Sequence, residues 1–264
     1  MNKLNNMLKA LVIGATVASF TSCSPYIKVV EVTSENAKTD ADKNIVFEND
    51  TVRVEYDMWG PGGYMNFRVY NKLEQPIYIN WFKSSYVKED VKYSYVGNYR
   101  DLSFVPPKSY VTNPVSYILL NTQGAAMYAR TSKSGKKVKI ENVDLRNDKE
   151  ATLEKLDKTF AKSGQVKAYS KTYDRNSTPL FFRNFITVST CESADECTNS
   201  QSMIYFNNKF YVSKMTEMPI KQFNGKGTKV VEYVKRGDKK VKATVTVYEM
   251  PYNAGNRFYI PLIF

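Results

Sequence analysis

From Val46 to Tyr70 the chain alternates with a period of two residues, and no other feature constrains its fold as strongly. Val52, Val54 and Tyr56 alternate with Arg53, Glu55 and Asp57, so an extended strand here has one apolar and one charged face. Met65, Phe67 and Val69 alternate in the same way with Asn66, Arg68 and Tyr70. Gly60-Pro61-Gly62-Gly63 between them makes a corner, because glycine adopts positive φ without steric cost. After a turn over residues 71–76, the run IYINWFKSSYV (77–87) reads as a third strand with Trp81 near its middle. Strand, short turn and strand in close succession predict a mainly β, antiparallel sandwich. With 20 Tyr and 14 Phe the composition agrees, since aromatic residues favour the pleated sheet.

The pattern changes once. Asn147 followed by Glu150 resembles a capping box, and Leu153, Leu156 and Phe160 recur at helical spacing ahead of Gly164. A short inserted helix is therefore predicted over about 148–162. Strands resume at 181–190, leading into a cysteine loop. Residues 203–206 and 210–213 flank Asn207-Asn208-Lys209, which predicts a hairpin turn. Residues 230–235 and 240–248 predict a second hairpin around Arg236-Gly237-Asp238-Lys239, and RFYIPLIF ends the chain as a last strand.

The amino terminus supplies a location. Lys3 and Lys9 precede an apolar run over 11–20, then Thr21, Ser22 and Cys23. That run is too short to cross a bilayer, which takes about 20 apolar residues, but it fits the apolar region of a secretory signal. A cysteine directly after the cleavage zone is where lipoprotein processing attaches a diacylglyceryl group. The stretch resembles the relaxed lipoprotein signal of Bacteroidetes, with Phe20 and Ser22 where Leu and a smaller residue are usual. The expected organisation is a signal peptide over 1–22, a tether over 23–44 that also reads as a first loose strand, and a β-sandwich ectodomain over 45–264. That ectodomain is either one unit or two subdomains, 45–130 and 165–264, separated by the helical insertion. The mature start SPYIKVVE lacks an early acidic cluster, so the expected site is the outer membrane with the domain facing the periplasm.

The block FENDTVRVEYDMWGPGGYMNFRVYNKLEQPIYINWFKSSYV resembles Bacteroidetes-type lipoproteins with immunoglobulin-like ectodomains. FFRNFITVST and NNKFYVSKMTEM extend the resemblance more loosely. It implies an immunoglobulin-like fold and an envelope location, and it implies no activity.

The chain contains no histidine, which removes Ser-His-Asp and Cys-His catalysis and histidine metal sites together. Neither a metal nor an organic cofactor is expected. With Cys23 acylated, Cys191 and Cys197 remain, and in an exported chain this spacing points to a small disulfide loop. Carboxylates for a hydrolase are present at Glu48, Asp50, Glu55 and Asp57, and at Glu192, Asp195 and Glu196. Aromatic side chains for stacking on sugar rings are sought near the turns, at Trp59, Tyr64, Tyr93, Tyr95 and Tyr99. Lys235, Arg236, Lys239 and Lys240 crowd the second hairpin of a chain whose net charge is +12, marking a contact with an anionic surface. No nucleic-acid recognition motif accompanies them. The expected role is a membrane-anchored, non-catalytic envelope lipoprotein that binds an envelope protein or serves a structural contact. A glycan-binding accessory protein and a carboxylate hydrolase are the alternatives.

Overall fold

A computed structural model describes residues 26–88, 90–95, 102–113, 128–130, 137–139, 144–158, 164–191, 203–236 and 239–261. Along the chain the first strands are β1 (Tyr26–Ser34), β2 (Lys38–Thr39), β3 (Ile45–Glu48), β4 (Val52–Asp57) and β5 (Asn66–Asn71). β6 (Ile77–Asn80), β7 (Ser85–Lys88), β8 (Val91–Ser94), β9 (Leu102–Val105) and β10 (Tyr110–Thr112) follow. β11 (Tyr128–Arg130) and β12 (Lys137–Lys139) form a small ladder of their own. Then come β13 (Thr152–Asp157), β14 (Gln165–Thr172), β15 (Phe181–Ser189) and the 17-residue β16 (Met203–Pro219). Helix α1 (Ile220–Asn224), β17 (Gly227–Arg236), β18 (Lys239–Tyr248) and β19 (Arg257–Pro261) complete the described order.

Two antiparallel sheets make up the body. The smaller has the order β10-β5-β4-β3-β2, consecutive in sequence except where β10 returns beside β5. The larger is organised by β16. One edge of β16 pairs with β1, which in turn pairs with β19; its other edge pairs with β15 and then with β14. The change of partner falls between Tyr211, opposite Phe181, and Lys214, opposite Thr172. On the β1 side the register slips at the same place, between Glu31 and Val32. A bulge sharpens strand twist locally, and here it lets one long strand serve two neighbours end to end.

Alternation fixes which side chains enter the space between the sheets. Val52, Val54 and Tyr56 of β4, and Phe67 and Val69 of β5, meet Phe182, Ile186, Phe206, Phe210 and Val212 of β15 and β16. Tyr56 meets Phe210 edge-on at 4.8 Å, and Phe182 stacks on Phe210 at 5.0 Å. A polar knot lies inside this apolar layer. Asn184 and Asn208 are direct cross-strand partners, and both are buried. Both side-chain amides donate to the Tyr56 hydroxyl, at 2.9 and 2.6 Å, while the Tyr95 hydroxyl donates to Asn184 Oδ1 at 2.6 Å. Burial pushes the ionisation of Tyr56 far above the ordinary phenol range, so its hydroxyl stays neutral.

A second, smaller core lies on the opposite face of β1. Ile27, Val29, Ala168, Met218 and Phe223 are buried there, with Trp59, Leu156, Met250, Tyr252 and Tyr259 packed against them. The glycine corner reaches this layer, since the Gly62 amide donates to the Tyr259 carbonyl at 2.7 Å. At Gly60 the Tyr64 ring occupies the place a side chain would need, and φ is +155°, so only glycine fits.

Several expectations are corrected. The tether expected over 23–44 contains β1, whose Val30 and Val32 are fully buried. Its partners lie near the far end of the chain, out of reach of local patterning. The strand expected over 77–87 is split. β6 and β7 both pair with β15, but the chain leaves the ladder between them. Thr187 bridges the gap: its amide bonds Ser84 Oγ at 2.9 Å and its hydroxyl donates to the Lys83 carbonyl at 2.9 Å. Trp81 sits in that excursion and donates to Ser103 Oγ at 2.7 Å.

The turn expected at Asn207-Asn208-Lys209 is absent, because β16 runs straight through it. The asparagines that read as turn formers are held extended by β15 and, for Asn208, by Tyr56. The helix expected over 148–162 is a turn followed by β13, while residues 159–162 lie outside the described set. Asp148 and Glu150 hold Lys171 of β14 at 3.0 and 2.6 Å instead of capping a helix. In a strand, residues three apart face opposite ways, so Leu156 packs into the second core and Leu153 is left exposed. Strands from 45–130 and from 165–264 share one sheet, since β6 and β7 are ladder partners of β15.

Two measurements test this construction. Tyr56→Phe leaves two buried amide donors without their acceptor and should lower unfolding free energy by about 1–3 kcal/mol. A urea midpoint equal to that of the parent would contradict it. Glu217, opposite Lys28 and wholly buried, has its carboxyl raised above the usual range by burial, which the Leu145 amide and Lys28 oppose. Its contribution is therefore present below the unfolded pKa, near 4.5, and is lost as pH rises through the folded value. Glu217→Gln should flatten the decline of the urea midpoint with rising pH in that window, whatever its effect on the absolute value.

Candidate ligand-binding face

The outer face of the smaller sheet collects the residues that alternate away from the core. Ladder register lines them up in two rows. Glu48, Arg53, Tyr70 and Tyr110 are successive cross-strand neighbours, and so are Val46, Glu55, Arg68 and Thr112. Lys72, just beyond β5, closes the end of the first row beside Glu48 at 2.8 Å. Glu48, Arg53, Glu55, Arg68, Tyr70, Lys72 and Tyr110 together line a depression of about 350 Å³. A second depression of about 490 Å³ lies alongside and shares Glu48 and Arg53 with the first. Asn36, Lys38, Thr39 and Asp40 line its far side.

Most of the charges are already paired. Glu55 accepts from Arg68 at 2.6 Å and faces Arg53 at 3.5 Å. Its bond to Glu55 holds the Arg68 guanidinium more firmly protonated than usual, and that guanidinium lies 5.9 Å from the centre of the Tyr110 ring. Lys72 bonds Glu48 and also the Asn49 carbonyl, at 2.7 Å. That hydrogen bond and charge hold the Glu48 carboxyl below its ordinary range. Arg53 differs from its neighbours. Its one ion pair is long, and its buried Nε has no hydrogen-bond partner among the described residues. Tyr110 is 61 % exposed and offers an open ring at the edge of the same face.

A glycosidase needs one carboxyl held protonated as an acid. Glu48 is shifted the other way, and Glu55 is held between two guanidinium groups. Glu217, whose carboxyl is raised, is sealed beneath Leu145 and Arg146. Among the described residues no group of three or more Cys, Asp or Glu is placed to hold a metal ion.

The residues sought for sugar stacking do not come together. Tyr95 is fully buried in the main core. Trp59 stacks on Phe223 at 5.9 Å and packs on Tyr259 in the second core. Tyr64 covers Gly60, and Tyr93, on β8, lies 5.7 Å from Tyr86. Tyr99, Cys23 and Cys197 lie outside the described residues, as do Glu192, Asp195 and Glu196. Cys191 lies two residues past the end of β15 and packs near Tyr78 and Leu102. Lys235 and Lys240 are ladder partners, as are Arg236 and Lys239, beside the hairpin turn of β17 and β18. Of the carboxylates considered, Glu48 and Glu55 reach one depression. Asp57 instead accepts from the Trp59 amide at 3.1 Å.

Tyr70 and Tyr110 are the aromatic residues of the face that sequence reasoning missed. The signal for Tyr70 was visible, because it shares the polar side of β5 with Arg68. For Tyr110 nothing local indicated that β10 returns beside β5. Comparison with protein-family models, curated proteins and solved structures finds no match to this chain.

Proposed function

We propose that this protein is a cell-envelope lipoprotein whose ectodomain binds an acidic glycan on the outer face of its smaller sheet, without catalysis. The observation that carries the reading is Arg53. It belongs to both depressions, has a single long ion pair on a part-exposed guanidinium, and stands in a row with an aromatic ring on one side and a lysine-bound carboxylate on the other. A part-exposed guanidinium matches a planar carboxylate, and a neighbouring tyrosine face suits the apolar side of a sugar ring. The two packed antiparallel sheets are compatible with an immunoglobulin-like sandwich, which is the fold we assign to the ectodomain. In this reading residues 1–22 are a signal peptide, Cys23 carries the lipid, Cys191 and Cys197 close a disulfide loop, and the domain faces the periplasm.

A charged oligosaccharide rich in uronic acid should bind the chain, and its neutral counterpart should bind much less. Arg53→Ala should weaken binding by about 1.5–3 kcal/mol, roughly 10- to 150-fold, through loss of charge-assisted hydrogen bonds. Tyr110→Ala should weaken it by about 0.5–1.5 kcal/mol. Titration calorimetry showing both variants equal to the parent would move the site elsewhere.

The anchor is tested chemically. Metabolic labelling with an alkyne fatty acid should mark the parent and leave Cys23→Ala unmarked, with the variant lost from the membrane fraction. Intact mass of the same labelled parent under non-reducing conditions should show Cys191 and Cys197 resistant to alkylation until reductant is added.

A further inference from the structure

β17 and β18 form a ribbon that pairs with no other strand among the described residues. Two-stranded ribbons are marginal in water by themselves and normally lay one apolar face on a core. This one carries exposed apolar side chains on both faces, with lysines and threonines among them on the face of Val231 and Tyr233. Register places Val230, Val245 and Val247 on one side and Val231, Tyr233 and Tyr248 on the other. All six are exposed, Tyr233 by 70 % and Val247 by 51 %.

The same ribbon is strongly basic. Its sequence carries Lys229, Lys235, Arg236, Lys239, Lys240 and Lys242 against Glu232 and Asp238. Register pairs Lys235 with Lys240 and Arg236 with Lys239 at the distal end. Directly opposed like charges destabilise a ladder unless something anionic neutralises them.

We propose that this hairpin is a lipid-binding arm that inserts its valine and tyrosine side chains among the headgroups of an anionic membrane. A protein groove or a second copy of the chain would cover one face or one edge and leave the other apolar face in water. An interfacial layer of lipid wets both faces at once, and its phosphates supply the counter-charge. Tyrosine, with an apolar ring and a polar tip, suits that depth.

Backbone register also places the arm near the membrane. Tyr26, where β1 begins, is opposite Pro219, the residue before α1, and Ile27 is opposite Pro261. From α1 the chain turns at Gly225, where φ is +71°, and enters β17 at Gly227. The return strand is tied to the same place, since the Met250 amide bonds the Asn224 carbonyl at 3.1 Å. Cys23 precedes Tyr26 by three residues, a span of about 10 Å. The ten-residue strands of the arm extend about 33 Å from their base. This placement rests on the anchor proposed above; the surface chemistry of the arm does not.

The test uses acyl-free protein, the chain from Ser24 onward, which retains every described strand. It should float with phosphatidylglycerol vesicles and bind phosphatidylcholine vesicles about tenfold less, with binding reduced by added salt. Replacing Val231, Tyr233 and Val247 together by serine should weaken binding about tenfold or more. Lys229→Glu with Lys242→Glu should do the same, and all of these positions are exposed enough to leave the urea midpoint unchanged. Failure of the parent to float, or flotation that the serine variant leaves unchanged, overturns the proposal. A dimer in sedimentation that the serine variant dissolves, without vesicle binding, assigns the arm to a second copy instead and equally overturns it. Because this fragment lacks Cys23 altogether, failure of the anchor appears only in the labelling experiment.

Discussion

One buried hydroxyl ties the two sheets together. Tyr56 projects from the smaller sheet into the larger and accepts from Asn184 and Asn208, which are themselves ladder partners on β15 and β16. Tyr95 completes the set from a third segment. Apolar packing alone would tolerate sliding of one face over the other, whereas a hydrogen-bonded cluster in a dry core is satisfied in a single alignment. A one-residue slip of β4 would bring Arg53 and Glu55 inside and strand two amides at once.

The candidate ligand face follows from that alignment. Once Val52, Val54 and Tyr56 are fixed inward, Arg53 and Glu55 must face out. The antiparallel ladder then sets Arg53 beside Glu48 and Tyr70, and Glu55 beside Arg68. The electrostatics of the face are a consequence of this order. Glu55 is shared between two guanidinium groups and Glu48 is taken by Lys72, which leaves Arg53 with a single ion pair of 3.5 Å. The basic ribbon belongs to the other end of the chain's logic. Among the described side chains none of the ribbon belongs to either core.

Legibility in the sequence tracked the range of the interactions. β4, β5, the glycine corner and the β17–β18 hairpin were readable because their partners lie within a few residues. β15 falls within the strand expected over 181–190. β1 read only as a tether or a loose strand because its partners, β16 and β19, lie roughly two hundred residues away. Asn207 and Asn208 were read as a turn by local propensity, and the tertiary hydrogen bonds of Asn208 outweighed it. Leu153, Leu156 and the Asn147–Glu150 pair imitate a helix start, but a fifteen-residue helix with so narrow a stripe gains less than six residues of ladder beside β14.

By itself, the sequence determined that this chain builds antiparallel sheets, that it works without histidine chemistry, and which residues of β4 and β5 alternate toward solvent. These follow from composition and from a period of two, which any extended chain must obey. Only the tertiary structure decided that one long strand would serve as the common partner of β1, β14 and β15. It also decided that Tyr70 and Tyr110, and not the aromatics near the turns, would frame the exposed face, and that Arg53 would have a single long ion pair. Those outcomes depend on which distant strands share a ladder, and a ladder is a contact between backbones that leaves no mark on either segment alone.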